Sequence, residues 1–189
     1  INLGNFLEAP REGEWGVTLK PEYFQAIHEA GFDTVRLPVR WSAHALKDPP
    51  YTIDPSFAAR VDWAVDQATA NHLNIVVNTH NYSEMDRDPD ANQARLVALW
   101  TQIAARYRNR PATVYFELYN EPNRALTAER WNAVIPDLLH AVRRSNPTRP
   151  VIVGPASWNG IGALDALRLP PEDHRLIVTE SYVLVRARV

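Results

Sequence analysis

The stretch Val114-Tyr-Phe-Glu-Leu-Tyr-Asn-Glu-Pro-Asn123 places two acids and an amide directly behind an apolar run. Glu121 falls where a strand should be ending. A carboxyl group at such a point can protonate the leaving oxygen of a glycosidic bond, provided that a second carboxylate lies opposite it. The competing reading is structural: Glu121 caps the following helix or pairs with Arg124. Other polar residues sit at comparable positions behind other apolar runs. These are Arg36 and Arg40, then Asn78, His80 and Asn81, then Trp158 and Asn159. Glu117 reads as an inward, hydrogen-bonded structural acid rather than a second catalyst. Glu8 and Glu84 read as loop acids, solvated or at most subsite residues.

The elements that must hold these residues alternate. Strands are expected at Thr34–Val39, Asn74–Thr79, Thr113–Tyr119, Val151–Gly154 and Leu176–Thr179, with Ile1–Leu3 as the end of one more. Several are apolar on consecutive residues, the pattern of parallel strands covered on both faces. Helical periodicity runs over Pro21–Ala30, Phe57–Asn71, Gln93–Tyr107 and Ala128–Ser145, with a short helix at Ile161–Leu167. Pro136 is expected to kink or restart the fourth of these. The segments GFDTVRLPV, NHLNIVVNT and TRPVIVGP are helix-to-strand junctions, and the 15 prolines cluster at loops and element starts.

Alternation of this kind implies a parallel sheet with right-handed crossovers. Neither GxGxxG nor GxxxxGK[ST] occurs, which disfavours an open nucleotide-binding sheet. The expected fold is therefore an α/β barrel of the TIM (β/α)8 type. Its catalytic residues would stand at the C-terminal ends of the strands.

Composition narrows the chemistry further. The 189 residues are 46% hydrophobic with a net charge of −2, and suit one domain with one core. No basic stripe suggests nucleic acid as a partner, and no run is apolar enough to span a membrane. With no cysteine, disulfides, thiolate metal sites and cysteine nucleophiles are excluded. No cofactor is expected. A metal-dependent sugar isomerase would need more acids and histidines at strand ends than His80 and Glu121.

The segments INLGNFLEAP, TVRLPVRW, NTHNY and ELYNEPN, in this order and spacing, resemble glycoside hydrolase family 5, the cellulase family. The resemblance covers residues 1 to about 179, taken as one partial barrel domain. It implies a retaining double displacement on β-1,4-linked polysaccharide, without a metal, in a secreted or periplasmic protein. Glu121 would be the general acid/base and Asn120 the contact to the 2-hydroxyl. Arg36 would support the nucleophile or else be a structural ion-pair partner, His80 would line the −1 subsite rather than be a satisfied loop histidine, and Trp158 would be a sugar platform or a buried barrel residue. Relatives carry a second histidine where this chain has Asn81, which puts that contact in question.

The resemblance also places the nucleophile, a glutamate, at the end of a seventh strand, whereas six are counted here. About six β/α units are expected, short of the roughly 250 residues of a full barrel. The family's sixth strand usually ends in His-x-Tyr; Ser181 and Val183 take those positions. Glu180 would point outward by alternation and does not replace the nucleophile. Residues 180–189 are read as an atypical tail, vector-derived or frameshifted, because a back-translation accommodates TACGTA, ACTAGT, GAGCTC and CTCGAG. Open sheet edges and an exposed apolar interior would favour a homodimer or larger assembly, with the tail itself able to add an edge strand. The alternative to a hydrolase is a non-catalytic carbohydrate-binding barrel fragment.

Overall fold

The computed structural model describes residues 1–181. Tyr182–Val189, which hold most of the tail discussed above and the edge strand expected of it, lie outside the described residues. Five strands form one sheet: β1 Thr34–Leu37, β2 Asn74–Asn78, β3 Val114–Glu117, β4 Val151–Val153 and β5 Leu176–Val178. All are parallel and stand in chain order, β1-β2-β3-β4-β5. A doubly wound sheet reverses its strand order part-way. Unbroken order is that of a barrel wall. The residues before β1 add to it as expected: the Leu3 amide donates to the Arg36 carbonyl at 2.7 Å, and the Arg36 amide to the Ile1 carbonyl at 2.8 Å.

Each strand leaves the sheet one or more residues before its expected end. At β1 the reason is Pro38, which has no N–H to give a neighbour. At β2, β3 and β4 a buried tryptophan stands at the strand's end. Trp41 Nε1 donates to the Asn78 carbonyl at 3.0 Å, Trp100 Nε1 to Leu118 at 2.8 Å, and Trp131 Nε1 to Gly154 at 2.9 Å. The indole satisfies a carbonyl that would otherwise be buried without a partner.

The helices start where the local chemistry tells them to. Helix α1, Pro21–Glu29, opens on proline; α2, Pro55–Ala70, adds Asp54, whose side chain accepts from the Phe57 amide at 2.9 Å. A short α3, Ser83–Arg87, was not expected from periodicity. Helix α4, Pro89–Tyr107, starts four residues early because Asp88 and Pro89 form its cap. Helix α5, Ala128–Arg143, is capped by Thr127 and runs through Pro136 as one element without restarting there. Pro136 lies on the exposed face, where water can take the carbonyl its ring leaves free. The last predicted helix is a 3-10 turn at Ile161–Ala166.

Alternate strand residues face the helices and form the core. Val35, Leu37, Ile75, Val77, Val114, Phe116, Val151 and Val153 are all fully buried. The opposite face carries Arg36, Asn78 and Glu117. At the rim these polar groups satisfy one another, while further down the same face Tyr115 and Ile152 are half-buried and Ile177 is exposed. At β5 apolar surface opens, with Ile177 42% and Val178 50% exposed.

Beyond the strand ends, backbone enters the left-handed region at Asn5, Asn81, Glu121 and Ser157 to Asn159. Such residues persist only where the surroundings hold them. At β4 the hold is tight: a Cβ on Gly154 would lie 2.2 Å from Asn159 Oδ1, and Asn159 is 2% exposed. Gly154→Ala is expected to destabilise the protein by about 1–3 kcal/mol. Urea denaturation checks this, and an unchanged midpoint would show that Asn159 can move.

Candidate active site

The site is built around one ion pair. Arg36 Nε donates to Glu117 Oε2 at 2.6 Å and Arg36 Nη2 to Oε1 at 2.5 Å, a two-pronged contact reaching from β1 to β3. Glu117 is 2% exposed, so its charge requires this partner. The structural role expected for Glu117 is the one its contacts describe. Arg36 has donors to spare. Nη2 also donates to Asn120 Oδ1 at 2.8 Å, and Nη1 to Asn2 Oδ1 at 3.1 Å.

Between the two strands stands Asn78 on β2, fully buried. Its Nδ2 lies 3.3 Å from Glu117 Oε1 and 3.3 Å from His80 Nδ1, while its Oδ1 accepts from the Val39 amide. An Nδ1 that faces an amide N–H must accept, which places the ring proton on Nε2. Burial, and then the Arg36 charge, push His80 down to about 3. The imidazole is thus a neutral donor at neutral pH.

Glu121 follows on the same rim. The Asn120 amide donates to the Thr79 carbonyl at 2.9 Å, the last link between the β2 and β3 ends. Glu121 then turns into the left-handed region with φ 53°. Its carbonyl accepts from Asn123 Nδ2 at 2.7 Å, and the next carbonyl, of Pro122, accepts from the Trp158 amide at 3.1 Å. Among the described residues its carboxylate has neither a hydrogen-bond partner nor an ion pair with Arg124, and Thr127 caps α5 instead. The structural reading of Glu121 loses both of its supports. Trp158 is 54% exposed, not buried, and its backbone is fastened to the Glu121 turn.

Arg36, Asn120 and His80 are thereby drawn onto one network, and Trp158 is tied to the Glu121 segment. Asn81 takes the left-handed φ of 54° that asparagine tolerates, and its Nδ2 donates to the Glu8 carbonyl at 3.3 Å. Glu8 is not solvated: it is 4% exposed and its carboxylate accepts from the Asn5 and Phe6 amides, capping that turn. Glu84 is exposed as expected. Asn2 escaped sequence reading, because nothing local marks an asparagine in a strand fragment as a partner of Arg36. Among the described residues no three His, Asp or Glu side chains gather as a metal site.

The described residues thus form a barrel wall whose C-terminal rim carries an unpaired glutamate, a neutral histidine and an exposed tryptophan. The family described as Cellulase (glycosyl hydrolase family 5) matches residues 5–180, and the chain belongs to this family. Among curated relatives, endoglucanase H of Acetivibrio thermocellus is 38% identical over 96% of this chain and 20% of its own length. Among solved structures, the endoglucanase Cel5A of Thermotoga maritima superposes with a TM-score of 0.95 at 46% identity, over 96% of this chain and 59% of its own. That enzyme has also been solved with cellobiose and with mannotriose. The cellulose synthase subunit Z of Clostridioides difficile gives 0.93 at 36% identity, over 96% and 60%. The chain thus spans a fifth of one curated relative and about three fifths of these solved ones.

The histidine supplies a test. His80 resists protonation when folded, so its stabilising effect is complete above 6.5, its ordinary value, and is lost as pH falls towards about 3. The wild type should lose up to about 1.4 kcal/mol per pH unit more than His80→Gln within that window. Urea midpoints between these limits check this; parallel curves would exclude a buried neutral His80.

Proposed function

We propose that this chain carries the acid/base half of a retaining, endoglucanase-like β-1,4-glycan hydrolase. The observation that carries the reading is the free Glu121 carboxyl beside Asn120, on a rim organised by Arg36, in a member of the cellulase family. Glu121 gives its proton to the glycosidic oxygen as the bond to the anomeric carbon breaks and a second carboxylate takes that carbon. The leaving sugar departs, and Glu121 then accepts a proton from the water that releases the glycosyl group. Asn120, held by Arg36, contacts the 2-hydroxyl. The neutral His80 donates its Nε2 proton to a hydroxyl in the −1 subsite. Trp158 stacks on a sugar face.

No described residue is assigned as the nucleophile. Glu117 is committed to Arg36 and Glu8 to backbone amides. The nucleophile is placed outside the described residues, in keeping with a family resemblance that puts it on a later strand. The substrate class is β-1,4-glucan or a related polysaccharide. The cellobiose and mannotriose complexes of the Thermotoga maritima relative support both a gluco- and a manno-configured ligand.

Glu121→Gln on a soluble β-glucan is the direct test. Where the wild type hydrolyses it, turnover in the variant should fall by about 10²- to 10⁴-fold with cellotetraose still bound. Equal turnover in wild type and variant would sink the assignment. Wild type that binds the sugar without reducing-sugar release would favour the carbohydrate-binding alternative instead. Self-association is proposed with it, through the β5 edge where Ile177 and Val178 are exposed. Light scattering at micromolar concentration should give a dimer or larger species, and a clean monomer would count against it.

A further inference from the structure

Asp86 belongs to none of the contacts described so far, yet it touches the Glu121 turn on both sides. It lies on α3, the one-turn helix between the His80 segment and α4. Its Oδ1 is 2.9 Å from the Tyr119 hydroxyl, two residues before Glu121. Its carbonyl accepts from the Ala125 amide at 3.0 Å, four residues after it. Between these points lie Asn123 and Arg124. Asn123 Nδ2 donates to the Glu121 carbonyl at 2.7 Å.

The turn needs such a hold. Glu121 and Arg124 both have left-handed backbone, with φ of 53° and 55°. Neither residue is a glycine, so each conformation is costly unless the surroundings fix it. β3 itself ends at Glu117, so beyond the Asn120–Thr79 and Trp158–Pro122 main-chain bonds the turn is held by contacts to other elements. Tyr119 is 2% exposed, and its hydroxyl is also 3.0 Å from the Tyr82 carbonyl. The Asp86 and Tyr119 contacts therefore close a part-buried link between the loop that carries His80 and the loop that carries Glu121.

We propose that Asp86 is the positioning residue of the acid/base turn: through Tyr119 and the main chain at Ala125 it holds Glu121 in place without touching substrate. The inference rests on Glu121 being the acid/base named above. Burial pushes the Asp86 carboxyl up from its ordinary range. The Tyr119 hydroxyl, the Arg124 charge and the Asn123 N–H groups oppose that rise, in that order. The same groups that lower the energy of the carboxylate thus belong to the turn it restrains.

Two variants separate positioning from mere stability. Asp86→Ala removes the acceptor; Asp86→Asn keeps an oxygen for Tyr119. Affinity for cellotetraose is measured by calorimetry, and the backbone amide signals of residues 120–125 by ¹H–¹⁵N NMR. Asp86→Ala should bind about tenfold more weakly with those signals shifted, and Asp86→Asn should stay within about threefold of wild type. Should Asp86→Ala not fold, Tyr119→Phe, which deletes only the hydroxyl, takes its place with the same shifted signals and about threefold weaker binding. Wild-type affinity and unmoved signals in Asp86→Ala or its substitute would overturn the proposal, as would Asp86→Asn binding as weakly as Asp86→Ala. If the wild type itself binds no cellotetraose, the glucan reading fails, and the amide signals alone decide the role of Asp86.

Discussion

The Arg36–Glu117 pair is the constraint on which the rest of the site depends. A carboxylate only 2% exposed, at the top of a central strand, is tolerable only with a charged and hydrogen-bonded partner. Arg36 supplies that partner across β2 and in doing so spans three strands. The guanidinium plane is then fixed, and its remaining donors can lie only where Asn120 and Asn2 wait. Asn120 is therefore not aimed by its own rotamer alone. It is held by a charge whose position was settled two strands away.

A second constraint is where each strand stops. A parallel strand that ran further would carry Asn120 and Glu121 into the ladder and away from the rim. Three indoles prevent this by taking the carbonyls of Asn78, Leu118 and Gly154. Each tryptophan comes from an element outside the sheet, so the core and the edge of the site are made by the same side chains. The left-handed residues follow immediately beyond. Backbone that is costly to hold is concentrated at the rim, where Asn81, Glu121 and Trp158 turn out of the wall.

Much of this was legible in one dimension. Parallel strands buried on the helix side read as consecutive apolar runs, and all five fall within the expected segments. Helix starts announced themselves through Pro21 and Thr127, whereas α2 begins at Pro55, two residues before the expected Phe57. Helix α3 and the early start of α4 did not, because a single turn has too few residues to show a period, and the Asp88-Pro89 cap lies outside the periodic stretch. Glu8 was misread for a related reason. Its burial depends on a turn that brings its carboxylate back to the Asn5 and Phe6 amides, and turns of that kind leave little trace in hydrophobic spacing.

The sequence by itself determined the class of the wall, the order of its strands and the residue types at its rim. Those follow from local rules: apolar runs, a proline or a threonine cap at a helix start, and polar residues where the runs end. It also carried the family, through short segments whose order and spacing are one-dimensional facts. Tertiary structure decided which polar residues meet. That Glu117 serves Arg36, that Asn2 joins them, that His80 is kept neutral and that Trp158 stands exposed beside the Glu121 turn are consequences of contacts between residues far apart in the chain. Burial and pairing set the charge and orientation of each group, and both exist only once the strands lie side by side.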